Sequence, residues 1–535
     1  MHDVELVLGL LSVLLILMTV ARRVRIPYPI TLVVGGLALG LIPGLPVVHL
    51  EPELILFLFL PPLLFSEASG TSWRDFKANL RPISLLAIGL VLATTGVVAV
   101  LTKALLPELP WAAAFVFGAV VAPTDAVAAL AIAHRLPVPR RIVTVLVGES
   151  LVNDATALVA FRMAVVATLT GAFVWYEALQ RFAVAGVGGI LIGIAVAWGL
   201  LWLRPFFKGD PTLDNTALLL VPFMAYLAAE TVGASGVLAV VTCGLYLGRR
   251  NARLLSSETR VQARGLWEML DFLFNGLLFV LVGLQLRAIL TTELAHPLPT
   301  LVWYGVLVTG AVILTRLAWV FPSTYLPRWL VPGLAARDPS PPAGHVLVLG
   351  WTGMRGGISL AAALAIPATL ANGAPFPGRD EIVLMTFMVI LGTLIFQGLS
   401  LPILIRATGL ERDEGHEREE TAARMEAVDA ALLKLDELAR RGDVPEDILA
   451  AFRRMYDERL HRICARVGLE PDAELEHREA AAVSIRREIV EAERRAVVAL
   501  RDRGVIGDDV LHHLLQELDL EELWLGDVHE RGAHA

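Results

Sequence analysis

Apolar residues form long, nearly uncharged runs through the first three quarters of the chain. Each run is near the roughly 20 residues that a helix needs to cross the hydrocarbon core of a membrane. The pattern predicts an all-α polytopic membrane protein. Its thirteen predicted spans lie near residues 4–21, 28–44, 52–69, 82–104, 111–134, 142–168, 180–203, 215–230, 233–248, 267–290, 299–322, 345–367 and 381–406.

Beyond about residue 410 the pattern changes to charged helical segments rich in Glu and Arg, as at 427–438 and 480–500. Helices with charges on most sides are usually solvated. We therefore expect two domains. Residues 1–409 form a transmembrane domain, and residues 410–535 form a cytosolic, acidic helical domain with a regulatory or oligomerisation role.

Composition and charge agree with this division. Of the 535 residues, 56% are hydrophobic and 18% charged, and the mean hydropathy of +0.65 excludes a single soluble domain. From Glu411 onward the chain has 32 acidic and 19 basic residues, whereas the preceding part has 21 acidic and 26 basic residues. Two cysteines, Cys243 and Cys464, offer no disulfide framework and no metal-ligand cluster.

The basic residues of the membrane part indicate its orientation, because short cytoplasmic loops carry the excess of Lys and Arg. Eighteen basic residues fall on the connections placed inside and three on those placed outside. This predicts an outside N-terminus and a cytoplasmic C-terminus in the plasma membrane. The inside residues are Arg22, Arg23, Arg25, Arg74, Lys77, Arg81, Arg135, Arg140, Arg141, Arg204, Lys208, Arg249, Arg250, Arg253, Arg260, Arg264, Arg328 and Arg337, and the outside ones are Lys103, Arg287 and Arg379.

Thirteen spans also fit six spans, a linker span and six inverted spans, a repeat plan found in secondary transporters. The fifth and twelfth spans then correspond, and both contain residues that favour an unwound backbone. The segments are Ala122-Pro123-Thr124-Asp125 and Gly353-Met354-Arg355-Gly356-Gly357. Interrupted spans in matching positions indicate a binding site near the membrane midplane.

Ionisable residues inside the spans are candidates for function, because a charge at bilayer depth costs about 3 kcal/mol or more. Glu230 and Asp271, near span ends, are weaker candidates than the others. The stronger candidates are Glu67, Asp125, Glu149, Asp154 and Arg355.

The sixth span predicts a cation site. Ser150 and Asp154 share one helix face, with Glu149 and Asn153 on the adjacent row. Sodium prefers several oxygen ligands, and the unwound backbone around Thr124 offers free carbonyls. Asp125 adds a carboxylate there, and Glu67, after a break expected at Pro61-Pro62, is a further candidate.

Arg355 and Glu149 are expected to form a supporting ion pair that holds the broken helices together, since a charge retained in lipid needs a partner. The alternative is that the acids only pair with Arg355 or line polar vestibules. One buried arginine does not neutralise four carboxylates, however, and no second buried cation is expected at comparable depth.

Unpaired carboxyls at depth favour an exchanger. A carboxyl removed from water binds a proton more readily, and a bound cation displaces that proton, so the two compete for one group. A monovalent cation channel or an intramembrane enzyme is the alternative. No catalytic motif appears, and one Asn-Asp site per chain does not make the ring of ligands typical of a channel.

The three segments Ala122–Asp125, Gly148–Asp154 and Gly353–Gly357 resemble the signature segments of the sodium/proton antiporters, in the monovalent cation:proton antiporter branch with Asn-Asp. The resemblance covers residues 1 to about 409. It implies a homodimer with inverted six-helix repeats and crossed, discontinuous helices. It also implies alternating-access exchange of Na⁺, with Li⁺ or K⁺ as further substrates, for H⁺.

The resemblance also assigns roles to single residues. Asp154 matches the essential cation and proton carboxylate, and Asn153 matches the neutral neighbour associated with electroneutral exchange. Ala126 stands where the family often has Pro. The transported Na⁺ is expected at Asp154, Ser150, Thr124, Asp125 and Glu67. Glu149 with Arg355 matches a supporting ion pair. Membrane lipid is an expected partner, and no cofactor, catalytic residue or nucleic acid is expected.

Small-residue pairs at helical spacing leave two interpretations open. Gly36 with Gly40, and Gly189 with Gly193, allow close helix packing either inside one chain or between two chains.

Overall fold

The computed structural model is all-helical, and no β-strand occurs among the residues it describes. These are residues 2–24, 26–42, 52–133, 136, 138–172, 175–207, 209–290, 294–370, 373–410, 414–442, 444–466, 473–503, 505, 510, 511, 514, 515 and 518. Arg25, Arg135 and Lys208 of the predicted basic connections lie outside them. The chain divides into two compact units, Met1–Asp413 and Glu414–Ala535.

The first unit contains nineteen α-helices within the described residues. They are α1 (His2–Val24), α2 (Tyr28–Gly40), α3 (Pro52–Gly70), α4 (Trp73–Ala78), α5 (Leu80–Ser84), α6 (Val91–Leu105), α7 (Trp111–Val121), α8 (Ala126–Ala133), α9 (Arg140–Thr170), α10 (Trp175–Leu203), α11 (Pro211–Thr231), α12 (Gly236–Gly248), α13 (Asn251–Leu254), α14 (Ser257–Leu290), α15 (Leu298–Leu330), α16 (Leu334–Arg337), α17 (Ala343–Trp351), α18 (Gly357–Leu364) and α19 (Arg379–Ala407). A π-helical segment, Leu85–Leu90, joins α5 to α6.

Each predicted span overlaps a helix or a pair of consecutive helices in this series. Eight helical segments among the described residues are long and apolar enough to cross a membrane, and Tyr28–Gly40, Leu56–Gly70 and Gly236–Gly248 are shorter apolar helices. The protein is therefore a helical multi-pass membrane protein. The total of thirteen crossings stays a prediction.

The two expected interruptions are present. Helix α7 ends at Val121 and α8 begins at Ala126, while α17 ends at Trp351 and α18 begins at Gly357. Pro123 lacks a backbone N–H and disfavours helix at the residue before it, which explains the first interruption. A third break, expected at Pro61-Pro62, was wrong, because both prolines lie inside a continuous α3.

Glycines allow the closest helix approaches in the bundle. A Cβ on Gly36 would come within 2.3 Å of the Val280 carbonyl oxygen on α14, and one on Gly40 within 3.2 Å of the Leu284 oxygen. A Cβ on Gly193 would come within 2.3 Å of the Ala239 oxygen on α12. Both predicted small-residue pairs therefore pack inside one chain.

Asp338 ties together the ends of three helices near one rim of the bundle. Its carboxylate accepts hydrogen bonds from Arg81 before α6, Arg141 at the start of α9 and Arg328 at the end of α15. Partial burial alone raises the pKa of Asp338, but the hydrogen bonds and charges of Arg141 and Arg328 outweigh it and lower the pKa below its usual value. The carboxylate therefore remains charged at neutral pH.

The second unit contains α20 (Glu414–Arg441), α21 (Glu446–Arg466) and α22 (Ala473–Asp502). Exposed ion pairs one turn apart lie on α20, such as Glu420 with Arg424. Pairs of this kind add only a few tenths of a kcal/mol each, as on any solvated helix face.

We predict that Gly193→Ala lowers the apparent melting temperature in detergent, corresponding to a loss of about 1–3 kcal/mol, because the new methyl group collides with the α12 backbone. The matched control is Gly199→Ala on the same helix, where no atom lies within 4 Å of the new Cβ. That control should be neutral or slightly stabilising. Equal melting temperatures for the two variants would show that the α10–α12 contact is looser than the structure indicates.

Candidate functional site

The two helix interruptions meet each other in the interior. The Asp125 N–H donates to the Met354 carbonyl oxygen at 2.8 Å. A Cβ on Gly356 would lie only 1.9 Å from Asp125 Oδ2, so only glycine fits at that position. The broken segments therefore cross in direct contact, as expected for crossed, discontinuous helices.

Arg355 donates hydrogen bonds to backbone carbonyls at this crossing. Its side chain is fully buried, its Nε donates to the Val121 carbonyl oxygen at 3.0 Å, and its Nη1 donates to the Gly353 oxygen. Val121 is the last residue of α7, where carbonyls lack helical partners and the helix dipole is negative. The Thr393 hydroxyl of α19 accepts the Arg355 backbone N–H at 3.2 Å. Arg355 thus replaces hydrogen bonds that these backbone carbonyls lose where the helices are interrupted.

Helix α9 presents its polar residues to the first interruption. Asn153 Nδ2 donates to the carbonyl oxygen and the hydroxyl of Thr124, at 3.0 and 2.9 Å. The Thr124 hydroxyl donates in turn to Glu149 Oε1 at 2.9 Å. Asp125 Oδ1 accepts the Val127 N–H at 2.8 Å and so caps the start of α8.

The structure corrects the expected pair of Glu149 with Arg355. Glu149 instead forms a bidentate ion pair with Arg316 of α15, through Nη1 to Oε1 and through Nη2 to Oε2 at 2.9 Å. Both side chains are buried, with 0% of Arg316 and 2% of Glu149 exposed. The expectation of a single buried cation was therefore wrong. Arg316 follows the same signal as Arg355, an arginine inside an apolar run, and sequence reasoning missed it.

A cavity of about 480 Å³ lies beside the crossing. Asp154 and Ser150 of α9, Thr124 and Asp125 of the first interruption, and Glu67 of α3 all line it. The structure therefore brings together the residues that were expected to bind the cation. Among the described residues, however, no group of three or more Asp, Glu, His or Cys side chains is close enough to ligate one metal ion.

Asp154 differs from the other buried charges at this depth. It is 3% exposed and lines the cavity, yet its carboxyl makes no hydrogen bond or ion pair with any described residue. Glu149, one turn away, has its two oxygens occupied by Arg316 and Thr124. Among the described cavity residues, Asp154 therefore has no paired charge, and Glu67 Oε1 is likewise buried without a hydrogen-bond partner.

Two further polar residues of the cavity wall come from α14. Asp271, ranked as a weaker candidate from its position, and Asn275 both line the cavity. They are one helical turn apart, and that spacing on an apolar helix is the signal that indicates a shared polar face. Glu230 lies elsewhere and pairs with Arg162 at 2.8 Å.

These features define a class of protein. Crossed, interrupted helices that meet beside a cavity lined by carboxyls without a paired charge are typical of secondary transporters, where the substrate site lies at the crossing.

Comparison with known proteins identifies the family. The family model "Sodium/hydrogen exchanger, transmembrane" matches residues 10–407, so the chain belongs to the sodium/hydrogen exchanger family. It is a transmembrane sodium/proton antiporter, a transporter and not an enzyme.

Several relatives are similar over most of the chain. An uncharacterized Na⁺/H⁺ exchanger of Mycobacterium bovis is 37% identical over 530 residues, 97% of this chain and 96% of the relative. A sodium, potassium, lithium and rubidium/H⁺ antiporter of Bacillus pumilus is 36% identical over 389 residues, 71% of this chain and 58% of the relative. The solved sodium proton antiporter MjNhaP1 of Methanocaldococcus jannaschii has the same fold, with a TM-score of 0.57 at 21% identity over 75% of this chain and 97% of that one.

We predict that Glu149→Gln and Arg316→Met each lower the apparent melting temperature, by the equivalent of about 3 kcal/mol or more, since each strands a buried charge. The double variant should recover much of that loss. A cycle that pairs Glu149→Gln with Arg355→Met should show weaker coupling, because Arg355 binds backbone carbonyls.

The control for this cycle is the more exposed pair Arg162 and Glu230, whose side chains are 52% and 26% exposed. Its coupling should stay below about 1 kcal/mol. Additive losses for Glu149 and Arg316, or a stronger coupling of Glu149 to Arg355, would contradict the pairing seen in the structure.

Proposed function

We propose that Asp154 is the group at which the transported cation and the proton compete. The observation that carries this proposal is the unpaired state of Asp154 in a cavity whose described lining residues include no Lys, Arg or His. A carboxyl in such a place must be neutralised by a proton or by a cation, because a bare charge is costly there. Competition of this kind couples the two fluxes.

The neighbouring oxygens complete the cation site. Ser150 lies one turn before Asp154 on the same face of α9 and supplies a hydroxyl oxygen. The carbonyl of Thr124 accepts one hydrogen bond from Asn153 and keeps a second lone pair for the ion. Asp125 and Glu67 supply carboxylate oxygens from other walls of the cavity. The carboxyls of Asp154, Asp125 and Glu67 do not converge closely enough to ligate one ion together. The ion therefore binds to Asp154 and Ser150, and the Thr124 carbonyl with either Asp125 or Glu67 completes its coordination shell.

Asn153, Glu149 and the two arginines hold the site together. Asn153 fixes the interrupted backbone through two hydrogen bonds to Thr124. The pair of Glu149 with Arg316 replaces the expected pair with Arg355, and Arg355 supports the crossing of the broken segments. None of these groups exchanges a proton during transport.

Exchange is proposed to be electroneutral, one monovalent cation for one proton. Asn153 is neutral and Glu149 is fixed in its ion pair, so Asp154 is the carboxyl of α9 that changes its occupant. A bound cation and a bound proton neutralise it equally. Na⁺ is the main substrate, and Li⁺ and K⁺ are accepted through the same oxygens, since all three are hard cations.

The protein is proposed to act as a homodimer in the plasma membrane, with its N-terminus outside and its C-terminus in the cytoplasm. The excess of basic residues on alternate connections supports this orientation. Alternating access moves the site between the two sides, and exchange contributes to pH homeostasis. The acidic domain at 410–535 is a regulatory module.

We predict that Asp154→Asn abolishes Na⁺-driven proton movement in proteoliposomes, because an amide keeps an oxygen but cannot exchange a proton. Ser150→Ala should retain exchange but raise the KM for Na⁺, since it removes a single neutral oxygen. Asp214→Asn is a matched control, because Asp214 is equally buried but pairs with Arg204 away from the cavity, and it should change stability and not KM. Near-normal exchange by folded Asp154→Asn protein would refute the assignment.

A further inference from the structure

The four carboxyls of the cavity lie on two structural walls. Asp125 and Asp154 belong to the first interruption and α9, whereas Glu67 and Asp271 belong to α3 and α14, which pack against each other. The charges of Asp125, Asp154 and Asp271 all act on Glu67, so the four groups share one electrostatic environment. The α3 and α14 wall therefore carries two carboxyl groups of its own.

Asp271 is held in place on that wall by a serine. Ser66 Oγ of α3 donates to Asp271 Oδ2 at 2.6 Å and joins the two helices. No described residue donates a hydrogen bond to the other carboxylate oxygen, Oδ1. The Asp271 side chain is half-buried. Ser66 fixes its position through Oδ2, and Oδ1 remains available as an acceptor.

Asp271 lies between the rim of the cavity and the helix crossing. Gly70, exposed at the end of α3, lines the cavity one turn after Ser66. Leu278, seven residues after Asp271 on α14, contacts the start of α18, where a Cβ on Gly357 would meet its Cβ at 3.3 Å. Seven residues correspond to about 10 Å along a helix. Asn275 lies on α14 between Asp271 and Leu278.

We propose that Asp271, positioned by Ser66, recruits the cation in the outer part of the cavity before it passes to Asp154. Asp271 then sets the apparent cation affinity of the exchange and takes no part in the competition with the proton. Asp154 is independent evidence that this cavity binds a ligand, because its side chain is more than nine-tenths buried, has no hydrogen-bond partner among the described residues and lines the same cavity. This inference rests on the proposed function of Asp154.

Electrostatics give the size of the expected effect. Clefts lined by charge of one sign raise the local concentration of counter-ions by about tenfold or more. Removing one of the wall charges should therefore weaken cation capture without slowing later steps. Such an effect is screened by salt, because the Debye length falls to about 10 Å at 0.1 M ionic strength.

The test is Na⁺-driven proton movement in proteoliposomes containing the full-length Asp271→Asn protein. We expect its KM for Na⁺ to rise about tenfold with an unchanged maximal rate. Added choline chloride should narrow the difference from the unmodified protein, because choline screens charge. A KM that stays unchanged, or a maximal rate that falls while KM stays constant, would overturn the proposal.

Three variants separate recruitment from a structural role. Asp271→Glu keeps the charge and should restore most of the affinity, whereas Ser66→Ala leaves the charge unanchored and should raise KM less than Asp271→Asn does. Glu258→Gln is the matched control on α14, since Glu258 is exposed, lies thirteen residues before Asp271 and does not line the cavity. An equal rise of KM in Glu258→Gln would show a general surface effect and overturn the proposal.

The proposal and the proposed function fail differently. If folded Asp154→Asn protein still exchanges Na⁺ for H⁺, the central site is wrong. If Asp154→Asn protein is inactive and Asp271→Asn protein has a normal KM, only the recruiting role of Asp271 is wrong.

Discussion

The cost of placing charge inside a membrane organises this protein. Glu149 and Arg316 neutralise each other through a bidentate pair, and Arg355 is held by backbone carbonyls that the helix interruption leaves open. An unpaired charge at this depth costs several kcal/mol. Asp154 lies beside these compensated groups and has no such partner among the described residues. We propose that its charge is neutralised in turn by a proton and by the transported cation.

The interruptions and the ion pair depend on each other. The interruptions after α7 and α17 leave backbone carbonyls without helical partners, and Arg355 and Asn153 donate hydrogen bonds to several of them. Arg316 connects α15 to α9 through Glu149 and also donates to the Leu349 carbonyl at the end of α17. The same few polar contacts thus maintain the crossing and fix α9, so that Asp154 faces the cavity.

Much of this arrangement follows from the sequence, because the physical signals are local. Apolar run length predicted the helices, and the Pro123 and Gly356 segments predicted the interruptions. Partner choice was not local. Two buried arginines, Arg316 and Arg355, were possible partners for Glu149. Helix packing, which spacing along the chain does not reveal, places Arg316 against Glu149. The continuous α3 through Pro61 and Pro62 was missed for a related reason, since neighbouring helices can stabilise a proline-containing helix in a membrane. Asp271 was ranked as a weaker candidate because its position near a span end does not reveal its neighbours. In the structure it accepts a hydrogen bond from Ser66 and lines the cavity.

We propose that Asp154 alone exchanges its occupant while Glu149 stays paired with Arg316. The most direct test of this proposal is the response of Na⁺/H⁺ exchange in proteoliposomes to a membrane potential imposed with potassium and valinomycin, in both polarities, with Asp154→Asn vesicles as the background. Electroneutral exchange predicts that the rate and the reversal point do not change with the potential, because each half-cycle moves the same net charge. A reversal point that shifts with the potential would contradict it and would show that a second carboxyl takes part.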